Sequence, residues 1–140
     1  MKMKTRIARF LPASLCLLLA SCASNTTPPK RVGMVVGLKP AQITEYKRLH
    51  AAAWPGVLKM IKKCNIRNYS IYLRELEPGK FYLFSYFEYT GTNYEADMAR
   101  MAADATTQEW WKECNPCQQP IPTARAGEWW AAMEEVFHLD

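Results

Sequence analysis

Residues 66–90, "IRNYSIYLRELEPGKFYLFSYFEYT", constrain the fold more than any other stretch of the chain. In "IRNYSIYLREL", Tyr69, Ile71 and Leu73 fall to one side, and Asn68, Ser70, Tyr72 and Arg74 to the other. That period of two is the pattern of a strand. Glu77-Pro78-Gly79 follows, with proline and glycine where a type II turn takes them, and "KFYLFSYFEYT" reads as a second, aromatic strand. Together they predict a hairpin.

The flanks place that hairpin. Residues 32–37, "VGMVVG", form a short apolar run before Pro40 and suit a strand. From Ala41 the period becomes helical, with Ile43, Tyr46, Leu49, His50, Ala53, Val57 and Ile61 on a common side. Pro55 lacks an amide hydrogen and disfavours helical geometry at Trp54, so a kink or break is expected there, with Pro55 opening a second helical segment. Residues 92–113 return to helical period through Tyr94, Met98, Met101, Ala102, Ala105 and Trp110, with Thr92 or Asn93 available as N-cap. Prolines in "CNPCQQPIP" end that helix, and a loop to about Met133 leads to a last expected strand, "EVFHL".

Strand, helix, strand, strand, helix, strand is an α+β order, the ferredoxin-like β-α-β-β-α-β arrangement. It implies an antiparallel four-stranded sheet with helices on one face. Tyr72, Tyr82, Phe84, Tyr86 and Phe87 read as sheet packing or dimer surface, and an uncovered aromatic face makes a homodimer through that face the expectation, a dimeric αβ barrel.

The first residues are set apart from this fold. Lys2, Lys4, Arg6 and Arg9 precede an apolar run at residues 11–20 that is short for a membrane span. It ends in Leu19-Ala20-Ser21-Cys22, which resembles the lipobox of bacterial lipoproteins. The reading is a signal peptide at residues 1–21, a lipidated Cys22 opening a polar, proline-bearing tether at residues 22–31, and a domain at residues 32–140. The protein is then exported and lipid-anchored at the cell envelope, and Ala23 after the cysteine points to the outer membrane. Without the four basic residues of the signal, 14 of the 18 Lys and Arg face 13 Asp and Glu. A nearly neutral domain, whose basic cluster is Lys59, Lys62 and Lys63, gives no reason to expect a nucleic-acid partner.

Cys64, Cys114 and Cys117 remain after Cys16 and Cys22 are assigned to the signal and the lipid. Cys114-x-x-Cys117 closes a helix and runs into prolines, whereas a redox motif opens one. A zinc site would need further ligands, and none is visible, so no metal is expected. The expected pairing is a local Cys114–Cys117 disulfide with Cys64 free.

Tyr46, His50 and Trp54 stand four residues apart, a spacing that stacks them on one helix face. Trp54, tied to the Pro55 kink, reads as packing, and His138 in the closing segment as structural. The segments "EYKRLHAAAWP", "NYSIYL", "WWK" and "EVFHL" together resemble the L-rhamnose mutarotases, in order and spacing, from about Val32 to the C-terminus. The resemblance implies the same dimeric αβ barrel and the interconversion of α and β anomers of L-rhamnose or a related 6-deoxysugar. It implies His50 as the catalytic acid/base, Tyr46 and Tyr69 as substrate contacts, and Trp110 and Trp111 as the paired tryptophans of the pocket. Adjacent on a helix, those tryptophans point apart, so one stacks on sugar while the other packs.

Mutarotation needs a proton donor and an acceptor near working pH, which histidine offers, and no cofactor or metal. Aromatic walls suit a deoxysugar, which has an apolar face beside its hydroxyls. Two other readings compete. Ala51 to Ala53 replace the polar or proline residues many family members carry, which favours an inactive sugar-binding or scaffold lipoprotein. The same barrel also serves small monooxygenases, in which a histidine could ligate haem.

Overall fold

β1 (Lys30–Leu38) is the strand on which the sheet is assembled. The computed structural model describes residues 28–139; the expected signal, Cys22 and the tether up to residue 27 lie outside them. A single 3-10 turn, Pro40–Gln42, leads into α1 (Ile43–Ala51), followed by α2 (Pro55–Lys63), β2 (Ile66–Glu77) and β3 (Lys80–Tyr89). Then come α3 (Tyr94–Ala102), α4 (Ala105–Cys114), a 3-10 turn at Asn115–Cys117, β4 (Gln118–Gln119) and β5 (Ala131–Met133). The sheet order is β2-β3-β1-β4, all antiparallel, with β5 also paired to β1. This is the strand order of the ferredoxin-like fold, as the element pattern predicts.

The β1–β3 register sets which residues face the helices. Val32, Met34, Val36 and Leu38 lie opposite Phe87, Ser85, Leu83 and Phe81, and these side chains turn toward α1 to α4. Val36, Leu38 and Leu83 are fully buried beneath Tyr46, Leu49, Val57 and Trp110. Each such side chain contributes roughly 1.5–3 kcal/mol through removal from water. Gly37 is required by close approach, because a Cβ there would meet the Gln119 side chain and carbonyl at 2.9 Å.

The β2–β3 hairpin turns at Gly79, whose φ of +75° is the left-handed value that a type II turn places on glycine. One irregularity in β2 matters more. Between Arg67 and Ser70 the strand carries one residue more than β3, with Asn68 at φ +49°. This bulge lets both Ile66 and Tyr69 face the helices although they are three apart, where regular alternation would turn one of them outward. Asparagine tolerates the left-handed region, and Asn68 Nδ2 also donates to Glu88 Oε2 at 2.6 Å.

Pro55 divides the first helical region as expected. Trp54 is extended (φ −64°, ψ 134°) and Pro55 opens α2 at its first position. The second helical region departs from the single helix predicted over residues 92–113. Asn93 caps α3 by accepting from the Ala96 amide, but the helix ends at Ala102. Asp104 then caps a new helix, its carboxylate accepting from the Thr107 amide (2.8 Å) and hydroxyl (2.9 Å). Competition from that aspartate is what breaks the run.

The closing strand is also corrected. "EVFHL" is not a strand; the edge of β1 is taken instead by Gln118–Gln119, opposite Gly37 and Leu38, and by Ala131–Met133, opposite Gly33 to Val35. Continuing that register places Glu135 beside Arg31, and the two form a bidentate ion pair at 2.7 and 3.0 Å. Among the described residues β1 begins at Lys30, so almost no strand edge remains beyond Arg31 for the next residues to pair with. Val136, Phe137 and Leu139 are 79–89% exposed, and His138 lies in this segment rather than on a strand.

Asn68→Gly is expected to leave stability within a few tenths of a kcal/mol, because glycine also accepts the left-handed bulge. Asn68→Val should cost about 1–2 kcal/mol in urea unfolding, since a β-branched residue resists it.

Candidate active site

A cavity of about 620 Å³ lies between the helices and the covered face of the sheet. Tyr46, His50, Tyr69, Trp110 and Trp111, the five pocket residues suggested by the sequence, all line it. α1 supplies Tyr46 and His50, the β2 bulge supplies Tyr69, and α4 supplies both tryptophans.

The four-residue spacing on α1 stacks the Tyr46 and His50 rings at 4.0 Å and 27°. His50 Nδ1 lies 3.0 Å from the Tyr46 carbonyl oxygen. A carbonyl only accepts, so Nδ1 carries the hydrogen, and Nε2 is the bare nitrogen of the neutral ring. Burial pushes the His50 pKa below 6.5; the bond to the Tyr46 carbonyl offsets this only in part. The imidazole is therefore neutral at pH 7, and Nε2 can accept a proton there.

The other titratable groups of the cavity are held in their protonated forms. Burial pushes the Tyr46 phenol well above its ordinary value and Tyr69 up to about 12, with proximity to Cys114 adding to the latter. Tyr94 is raised by burial as well. Tyr69 keeps 41% of its surface open, on the cavity and its mouth, while its hydroxyl surroundings are desolvated. Each phenol is a hydrogen-bond donor at neutral pH, and His50 is the cavity group that changes charge nearest to it.

The tryptophans divide their work. Trp110 is buried and sets its edge against both His50 and Trp54, each at 5.4 Å between ring centroids. With the stacked Tyr46 ring it gives the histidine ring a second aromatic contact. Trp111 is 37% exposed and forms the rim. Trp54 packs against the core cluster, the packing role that its place beside Pro55 suggests. Of the three alanines, Ala53 lines the cavity, whereas Ala51 and Ala52 face solvent.

Sequence reasoning missed one part of the wall. Gln118 and Trp129 come from the region read as a loop, yet Trp129 Nε1 donates to Gln118 Oε1 at 2.8 Å. That bond orients the Gln118 amide so that Nε2 donates to the Tyr46 hydroxyl at 3.5 Å. Trp130 and Asn115 also line the cavity. The signal available was a second Trp-Trp pair, Trp129-Trp130, in a segment with neither helical nor strand period.

The expected Cys114–Cys117 disulfide is not formed, and Cys64, Cys114 and Cys117 are all free and buried. Cys114 closes α4 with its side chain in the core. Cys117 Sγ lies 3.8 Å from both Gln42 Oε1 and the Glu113 carbonyl oxygen. Burial pushes the Cys114 thiol up to about 12 and also raises Cys117, so neither is a ready nucleophile.

Comparison with known proteins places this arrangement among relatives. The sequence model of L-rhamnose mutarotase matches residues 31–139. An L-rhamnose mutarotase from Oceanobacillus iheyensis is 30% identical over 117 residues, 79% of this chain and 99% of that protein. One from Opitutus terrae is 33% identical over 119 residues, covering 79% and 98%. Among solved structures, an L-rhamnose mutarotase from Formosa agariphila superposes with a TM-score of 0.60 at 22% identity, covering 79% of this chain and 99% of that one. That superposition speaks for the fold.

Proposed function

The chain belongs to the L-rhamnose mutarotase family, and from that premise we infer that it interconverts the α and β anomers of L-rhamnose or a closely related 6-deoxysugar. The observation that carries the reading is a neutral imidazole in an aromatic cavity, with Nδ1 bound to a backbone carbonyl and Nε2 bare. His50 Nε2 accepts the proton of the anomeric hydroxyl as the bond between C1 and the ring oxygen opens. The proton returns to the ring oxygen, giving the open aldehyde. Rotation about the C1–C2 bond and the reverse proton movements close the ring on the other face. Both oxygens are attached to C1, so one ring nitrogen can serve both. Tyr46 and Tyr69, held protonated, donate hydrogen bonds to the oxygen that carries developing charge. Trp110 and Trp111 offer flat surface to the apolar side of the deoxysugar.

A second copy of the chain covers the outer sheet face, where Tyr72 is 63% exposed beside Phe84 and Tyr86, so that the protein works as a homodimer. Cys22 carries lipid and holds the domain at the cell envelope, on the outer membrane.

Starting from one crystalline anomer of L-rhamnose, anomeric exchange followed by NMR is expected to accelerate with the wild-type protein. His50→Ala should lower kcat/KM by roughly a hundredfold or more. Because the neutral form reacts, kcat/KM should fall as pH drops, with its midpoint below the ordinary histidine value of 6.5. No acceleration by the wild type removes the reading, and equal acceleration by both proteins removes His50 from it. Light scattering should give twice the chain mass, and Phe84→Lys should shift it toward one; a monomeric wild type refutes the dimer. Palmitate labelling in cells should be lost in Cys22→Ser, and an unlabelled wild type rules out the anchor.

A further inference from the structure

We propose that the end of the cavity away from His50 is a specificity arm for a reducing 6-deoxyhexose bearing a short apolar ether or ester group across the ring from its anomeric carbon. The proposal deepens, and rests on, the mutarotase reading of the polar end.

The cavity runs beneath two separate hydrophobic clusters. One is built on Tyr46, Trp110 and Cys114, the other on Ile66 and Phe87 with Met34, Tyr94, Met98 and Met101. Ile61 packs against both, and Tyr69 meets Phe87 edge to face at 5.4 Å, so these residues mark the passage between the ends. His50, Tyr46 and Gln118 belong to the first end. The Thr107 hydroxyl, which also lines the cavity, is turned to Asp104 Oδ2 at 2.9 Å, and the polar group that the second cluster itself brings is the Tyr94 hydroxyl. Its ring is held by Tyr89 (5.1 Å between centroids) and by Lys30 Nζ at 4.0 Å.

A volume of about 620 Å³ is in the range that drug-sized ligands occupy, more than one deoxyhexose fills. A bare sugar held at His50 would leave the methionine end without a partner, and apolar walls of that kind favour apolar ligand over water. In a pyranose, C4 stands across the ring from C1. With C1 and the ring oxygen at His50 Nε2, a substituent on O4 points past Tyr69 toward Phe87. Met34, Met98 and Met101 are unbranched and polarizable, suited to groups of varied shape. The anomeric hydroxyl stays free in such a sugar, so the same ring opening applies and no new chemistry is required.

The test compares 4-O-butyl-L-rhamnose with L-rhamnose in the anomeric exchange assay, using the full-length protein. The butyl ether is expected to have a kcat/KM about tenfold higher, carried by KM. Met98→Gln and Met101→Gln should bring the ratio of the two sugars close to one, and Met98→Leu should keep it. A ratio of one or less in the wild type, or a ratio that the Gln variants leave intact, overturns the arm and spares the mutarotase reading. If neither sugar is exchanged, that reading falls, and tryptophan fluorescence titration decides the arm: tighter binding of the butyl ether supports it, and equal or weaker binding overturns it.

Discussion

The antiparallel pairing of β1 with β3, nine residues long, is the constraint on which the rest of the structure depends. Side chains alternate along a strand, so fixing this register fixes which residues meet the helices and which do not. It commits Val36, Leu38 and Leu83 to the core and leaves Tyr82, Phe84 and Tyr86 on the opposite face. β2 must then match β3, and it does so over both the hairpin end and the cavity end only because of the Asn68 bulge. The bulge keeps Ile66 inside while bringing Tyr69 inside as well.

The cavity follows from the size of what stands between sheet and helices. Large aromatic side chains from α1, α4 and the loop before β5 brace one another by their edges, as Trp110 does against His50 and Trp54. Braced in this way they hold the layers apart instead of filling the space. Desolvation disfavours the charged forms of phenols and of imidazole alike, and so moves their pKa values in opposite directions, up for the tyrosines and down for His50. The tyrosines are thereby kept as donors and His50 as an acceptor, which is the division of roles that an acid/base ring opening needs.

The fold and half of the site were legible in the sequence because each rests on local pattern. The hairpin, the Pro55 break, the Asn93 cap and the Tyr46–His50 stack all come from residues within a few positions of one another. The failures have a common cause. The break at Asp104 hung on a single side chain capturing the Thr107 amide, a competitor that helical periodicity does not register. The closing strand was misplaced because an edge strand needs a partner, and where β1 begins decides how much edge exists. The Cys114–Cys117 pairing was inferred from compartment and spacing, whereas the packing of each thiol decided the outcome.

Sequence alone therefore determined the β2–β3 hairpin, the break at Pro55 and the helix that carries Tyr46 and His50, since alternation and helical period are written residue by residue. Only the tertiary structure decided that Gln118 and Trp129 complete the wall around Tyr46. It also decided that His50 is neutral with Nε2 bare, and that the cavity has a second, methionine-lined end. Those properties depend on which distant segments meet and how far water is excluded where they do, and no local spacing encodes either.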